Sequence, residues 1–228
     1  MVREARIQLA LAPLGMPVPR ILAVCDELSA ANRMLPAYPA GPVCNTIGLS
    51  PLGKAFLDGL MKRGMIFDPD HMSAKAREQA LKVVADAGYA GVMSSHSWSD
   101  DVDYEQILHL GGAVTPHSQS STSFVAKWRK MRTWRDPRFV FGVGWGSDVN
   151  GFSAQGAPRN PKPGEGVTYP FTGFGGAIID KQVTGKHTWD INTEGVDHYG
   201  LYPDWVQDLK VLAGPQADEL SADMERAP

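Results

Sequence analysis

Three short stretches end an apolar run on ionisable side chains. "MIFDPDHMS" at 65 to 73 carries Asp68, Asp70 and His71, "GVMSSHS" at 91 to 97 carries His96, and "FVFGVGWGSD" at 139 to 148 carries Asp148. A fourth candidate, His117 in "AVTPH", follows a shorter apolar segment. Imidazole and carboxylate groups gathered at one place suit a divalent ion of the zinc type. Such an ion lowers the pKa of a bound water to about 7 and polarises a carbonyl, so hydrolysis becomes feasible at neutral pH. A carboxylate set opposite, here Asp148, can take the proton and pass it to a leaving group. Taken singly, His71 and His96 also read as helix caps, and Asp148 as an Asx-turn residue. Their common placement at strand ends is what points to chemistry.

The elements that must position these residues alternate. "SPLGKAFLDGLMKRG" (50 to 64) has Leu52, Phe56, Leu57, Leu60 and Met61 at helical spacing, with Ser50 as N-cap and Gly64 as stop. "MIFD" reads as a short buried strand, and Ser73 caps a second helix ending at Gly88. "AGVMSS", a helix around "DYEQILHLGG", "AVTP", a basic helix over about 121 to 135 and the strand "RFVFGVGW" follow. Helices alternating with short apolar strands imply parallel pairing with crossovers, and hence the α/β class. In such sheets and barrels, ligands bind beyond the carboxyl ends of the strands. One domain is expected over 1 to 228: an N-terminal segment 1 to 45, βα units over 46 to 146, a long irregular loop over 147 to 201, and C-terminal helices over 202 to 228, the last an acidic tail that frays.

Bulk properties exclude several classes. With 43% hydrophobic and 21% charged residues the composition is that of a globular protein. A net charge of −3 with dispersed basic residues gives no electrostatic case for nucleic acid, and "KWRKMRTWRDPR" reads as a helix with a wet basic face. No apolar run approaches the ~20 residues of a membrane span. The N-terminus shows no clear signal peptide, so localisation is left open. Cys25 and Cys44 allow one disulfide at most, and nothing in the sequence decides whether they pair.

In order and spacing, "NTIGLSPLGKAFLDGLMKRGMIFDPDHMS", "GVMSSHS" and "GVGWGSDVNG" resemble the membrane dipeptidase (renal dipeptidase) family of the amidohydrolase superfamily. The resemblance covers about 45 to 151. It implies a (β/α)8 TIM-type barrel, of which this chain would supply about the C-terminal half, and metallopeptidase chemistry on zinc. It implies that His71 and His96 are metal ligands and that Asp148 exchanges protons with the substrate. Gly146 and Gly151 would let that loop approach the metal, and Asp68 would orient a ligand. Asp70 stands where the family has a small residue, so it is either a possible ligand or a group with another task.

The departures define what else is expected. The family's opening His-x-Asp and its bridging Glu have no counterpart, and no histidine precedes Asn45. The ligand set for one or two Zn2+ is therefore incomplete. The family's Arg after the second ligating His is replaced by acids in "SHSWSDDVDYEQ", which puts dipeptide specificity in question. "GKHTWDINTEGVDHYG" offers His187 and His198 as substrate or lid residues, or as a packing segment whose acids face water. The expected function is zinc-dependent hydrolysis of an amide, peptide or ester carbonyl in a small-molecule or short-peptide substrate. The alternative is an inactive barrel fragment serving as a binding or oligomerising module, with a homo-oligomer covering its exposed edges.

Overall fold

The computed structural model describes residues 47 to 97, 99 to 149 and 155 to 227. The segment 1 to 45, both cysteines and Gly151 lie outside them. The chain divides into two units at Cys44/Asn45, and the described residues all belong to the second.

Helix α1 (Pro51–Lys62) starts where the Ser50 hydroxyl accepts from the Gly53 amide at 3.0 Å, with Pro51 fixing the first turn. It stops at Gly64, whose φ of +65° suits a residue without Cβ. Only part of its apolar stripe is covered: Leu57 is buried and Leu60 and Met61 pack against the core, but Leu52 and Phe56 are exposed. Helix α2 (Ala74–Asp86), capped by Ser73, buries Ala80, Leu81 and Val84. Helix α3 (Asp101–His109), capped by Asp100, buries Tyr104, Ile107 and Leu108. Arg77 of α2 reaches both Asp103 and Asp100, and this ion pairing ties the two helices together. Burial pushes the Asp103 carboxyl up, against the lowering effect of Arg77.

Between these helices runs a parallel ladder in sequence order. Phe67 pairs with Val92, strand β1 (Met93–Ser94) pairs with β2 (Ala113–Val114), and His117 pairs with Gly146. The bonds are those of a regular ladder, for example Phe67 N–H to the Gly91 carbonyl at 2.8 Å and Thr115 N–H to the Ser94 carbonyl at 2.9 Å. The fourth expected strand departs from expectation: 139 to 145 carries no strand, and the ladder meets this segment only at Gly146. Val140 is 83% exposed, and the Val143 amide bonds to Asp223 of the C-terminal region instead. An apolar run becomes a strand only where neighbours supply hydrogen bonds and cover on its faces.

Helix α4 (Ser121–Thr133) buries Phe124, Val125, Trp128 and Met131. It packs on α6 (Tyr202–Ala213), which packs on α7 (Ala217–Glu225). The basic face of α4 is solvent-exposed at Arg129 and Lys130, and its side chains are also paired. Lys127 and Lys130 hold Asp101, Arg129 donates to the Leu212 and Ala213 carbonyls, and Arg132 meets Glu219. The pair of lysines holds Asp101 below the usual carboxylate range. The acidic tail does not fray: Leu220 is fully buried in the core and the Asp223 carboxylate accepts from Trp128 Nε1 at 2.9 Å.

The region 155 to 201 is more ordered than its low periodicity suggests. It contains two small antiparallel pairs, β3 (Phe171–Thr172) with β4 (Ile178–Ile179) and β5 (Val183–Thr184) with β6 (His187–Thr188), then the short helix α5 (Ile191–Glu194). Polar cross-links hold it. Arg159 pairs with Asp208 of α6 at 2.7 Å, Asn192 exchanges bonds with the Val167 backbone, and Tyr169 donates to Asp204. No helix among the described residues is long and apolar enough to cross a membrane.

Candidate metal centre

The ladder delivers His71, His96, His117 and Asp148 from the carboxyl ends of successive segments, just beyond Phe67, β1, β2 and Gly146 respectively. Three of these junctions share an unusual backbone. His71, Ser97 and Asp148 have φ of +67°, +59° and +51°, a left-handed conformation that costs a residue with a Cβ about 1–2 kcal/mol. Among the described non-glycine residues only Asn160 shares it. Strain of this kind persists where the surroundings over-determine it, and it concentrates at functional sites.

The imidazoles of His71 and His96 meet Nε2 to Nε2 at 2.7 Å, with ring centroids 4.7 Å apart. One ligand atom from each of His71, His96 and Asp148 falls within 4.8 Å of the others. The approach depends on Gly146, because a Cβ there would overlap the Ser95 carbonyl oxygen and stand 2.9 Å from Cβ of His96. His117 lies beside Gly146 in the ladder and accepts from the Gln119 amide through Nδ1 at 3.3 Å. Burial pushes its imidazole below the ordinary value, with Asp148 opposing and His96 reinforcing the shift.

This donor set fits zinc. Two imidazole nitrogens are donors of the kind zinc takes, and the Asp148 carboxylate stands close enough to act on a water held there. Two nitrogens each ~2.0–2.1 Å from one tetrahedral ion would be about 3.3 Å apart, so the rings need separate by only about 0.6 Å.

A second group, Asp68, Asp70 and His96, is equally close but built differently. The Asp68 side chain accepts from the Asp70 amide at 3.0 Å and shapes the turn rather than a ligand. The Asp70 carboxylate is 1% exposed. Its Oδ1 accepts from Ser94 Oγ at 2.8 Å and Ser99 Oγ at 3.3 Å, and its Oδ2 accepts from the His96 amide at 3.0 Å. These donors occupy Asp70, so it supports the site from beneath.

His187 and His198 join neither group among the described residues. Nε2 of His187 contacts Glu194 at 2.6 Å, its ring stands edge-on to Trp189, and Trp189 stands edge-on to His198. They form a packed polar knot of their own. Missed from the sequence were the hydroxyls around His96. Ser95 Oγ lies 2.8 Å from His96 Nδ1, Ser97 donates to the Thr115 carbonyl at 3.0 Å, and Thr115 bonds back to the Ser94 and Ser95 carbonyls. The run "MSSHSWS" was the available signal, small polar residues flanking a histidine at a strand end.

Set against protein-family models, curated proteins and solved structures, the chain matches none of them. A cavity of 300 Å3 sits at the opposite end of the ladder, lined by Gly91, Gly112, Phe139 and Phe141, and the histidines and Asp148 do not line it. Convergent donors, rather than cavity size, single out the metal centre.

Proposed function

We propose that this protein is a zinc-dependent hydrolase of the membrane dipeptidase type, acting on an amide, peptide or ester carbonyl. The observation that carries the reading is the convergence of His71, His96 and Asp148 from separate segment ends onto one point. The sequence resemblance supports the same residues in the same roles, as part of a (β/α)8-type barrel.

His71 and His96 would hold the ion through Nε2, and the ion would supply water activation and carbonyl polarisation. Asp148 is exposed beside them, where a carboxylate can accept a proton and return it to a leaving nitrogen or oxygen. The positive φ at Asp148 turns its side chain off the end of the ladder, and Gly146 brings that turn against His96.

The test separates binding from turnover. With a panel of dipeptides, N-acyl amino acids and esters, Asp148→Asn should lower kcat by about 10²–10⁴ while zinc is retained. Equal turnover in the variant would remove Asp148 from the proton step. A second reading, an interaction module that self-associates, rests on the exposure of Ile66, Val140, Phe174 and Ile178. Light scattering across a concentration series separates the two, because a monomer at all concentrations contradicts the module.

A further inference from the structure

Asp70 packs a carboxylate beneath a metal ligand, and its contacts are specific. Its Oδ2 lies 3.0 Å from the His96 amide and 3.3 Å from His96 Nδ1, while Ser94 and Ser99 fix Oδ1. Ser95 Oγ is a second neighbour of His96 Nδ1, at 2.8 Å. The two neighbours make opposite demands. A hydroxyl can donate to Nδ1 and leave the proton on Nε2, whereas a carboxylate only accepts and draws the proton to Nδ1. Ser95 Oγ makes the hydrogen bond to Nδ1 and can accept as readily as donate, so the buried Asp70 carboxylate, at ion-pair distance and able only to accept, biases the proton to Nδ1.

The geometry points to Asp70 as a positioning residue for the metal centre: it holds the His96 proton on Nδ1 and thereby turns the lone pair of Nε2 toward His71 and the ion. This rests on the zinc reading above and adds to it the residue that selects the tautomer. A ligating histidine ordinarily donates its other N–H to such a partner, which fixes ring orientation and raises its basicity. Asp70 performs this from the same turn that carries His71, so one tight turn sets one ligand and orients the other. Asp70 is buried and the next residue, His71, is exposed with a left-handed backbone.

Zinc titration calorimetry on the full chain tests this with wild type, Asp70→Asn and Ser95→Ala. Asp70→Asn should weaken zinc by about 10–100-fold, and Ser95→Ala by less than about threefold. In the metal-free protein, long-range ¹H–¹⁵N spectra should show the His96 proton on Nδ1 in wild type and a redistribution toward Nε2 in Asp70→Asn. A purely structural role would leave that signature unmoved. Should Asp70→Asn fail to fold, the double variant Ser94→Ala, Ser99→Ala keeps the carboxylate but releases its Oδ1, and should weaken zinc in the same direction. Unchanged affinity in the variants that fold, or a loss in Ser95→Ala as large as that in Asp70→Asn, would overturn the inference alone. Absence of zinc binding by wild type would overturn the metal reading and the inference with it.

Discussion

At residue scale the site depends on close approach as much as on ligand type. Gly146→Ala places a methyl group against the Ser95 carbonyl and His96, and backbone, not a pliable side chain, is what it meets. Overpacking of this kind costs about 1–3 kcal/mol. The variant should therefore melt several degrees lower and bind zinc more weakly, read by calorimetry; wild-type values in both would show that the approach is not required. His71, His96 and Asp148 were legible in the sequence because each follows an apolar run, and parallel ladders aim such positions at one face. The burial of Asp70 against His96 was not legible, since it depends on which way a side chain leaves a turn whose φ the sequence does not state.

At element scale the caps were legible and the long-range partners were not. Ser50, Ser73, Gly64 and Gly88 mark helix ends through local chemistry, and they stand at the ends of α1 and α2. The basic face of α4 is wet as its sequence suggests, but its pairing was not legible, because its partners Asp101, Glu219 and Asp223 are distant in sequence or on elements whose docking only the fold reveals. The same limit explains 139 to 145, where apolarity suggested a strand but ladder neighbours decide it. A prediction belongs here. Trp128→Phe removes the Nε1 donor to the buried Asp223 carboxylate, which Arg226 also contacts, and leaves a cavity where the second ring of the fully buried indole stood. A buried acceptor that loses a partner costs about 1–3 kcal/mol, so urea denaturation should show a lower midpoint with an unchanged slope. An unchanged midpoint would contradict any stabilising role for the Trp128 donor, leaving Asp223 to Arg226 and Arg132.

At the scale of the whole molecule, buried carboxylates set the pH response. Burial raises Asp204 above the usual carboxylate range, while the Tyr169 hydroxyl and nearby His198 oppose the shift. An acid whose folded pKa is raised binds more protons folded than unfolded, so its contribution to stability declines as pH rises through that interval. The melting-temperature difference, wild type minus Asp204→Asn, should shrink as pH rises above the ordinary carboxylate range. A difference that grows with pH would reverse the sign and with it the assignment. The exposed Leu52 and Phe56 on α1, and Phe174 and Ile178 in the 155 to 201 region, mark surfaces whose cover the α-helical periodicity could not foretell.

The central claim is that His71 and His96 hold a metal ion with Asp148 beside them. Zinc titration calorimetry of the metal-stripped chain, alongside His71→Ala and His96→Ala, tests it most directly. Saturable binding at the centre should appear in wild type and weaken by more than about 100-fold in either variant, since losing a ligand costs more than losing its support. Wild type that takes up no zinc, or variants that bind as wild type does, would contradict it.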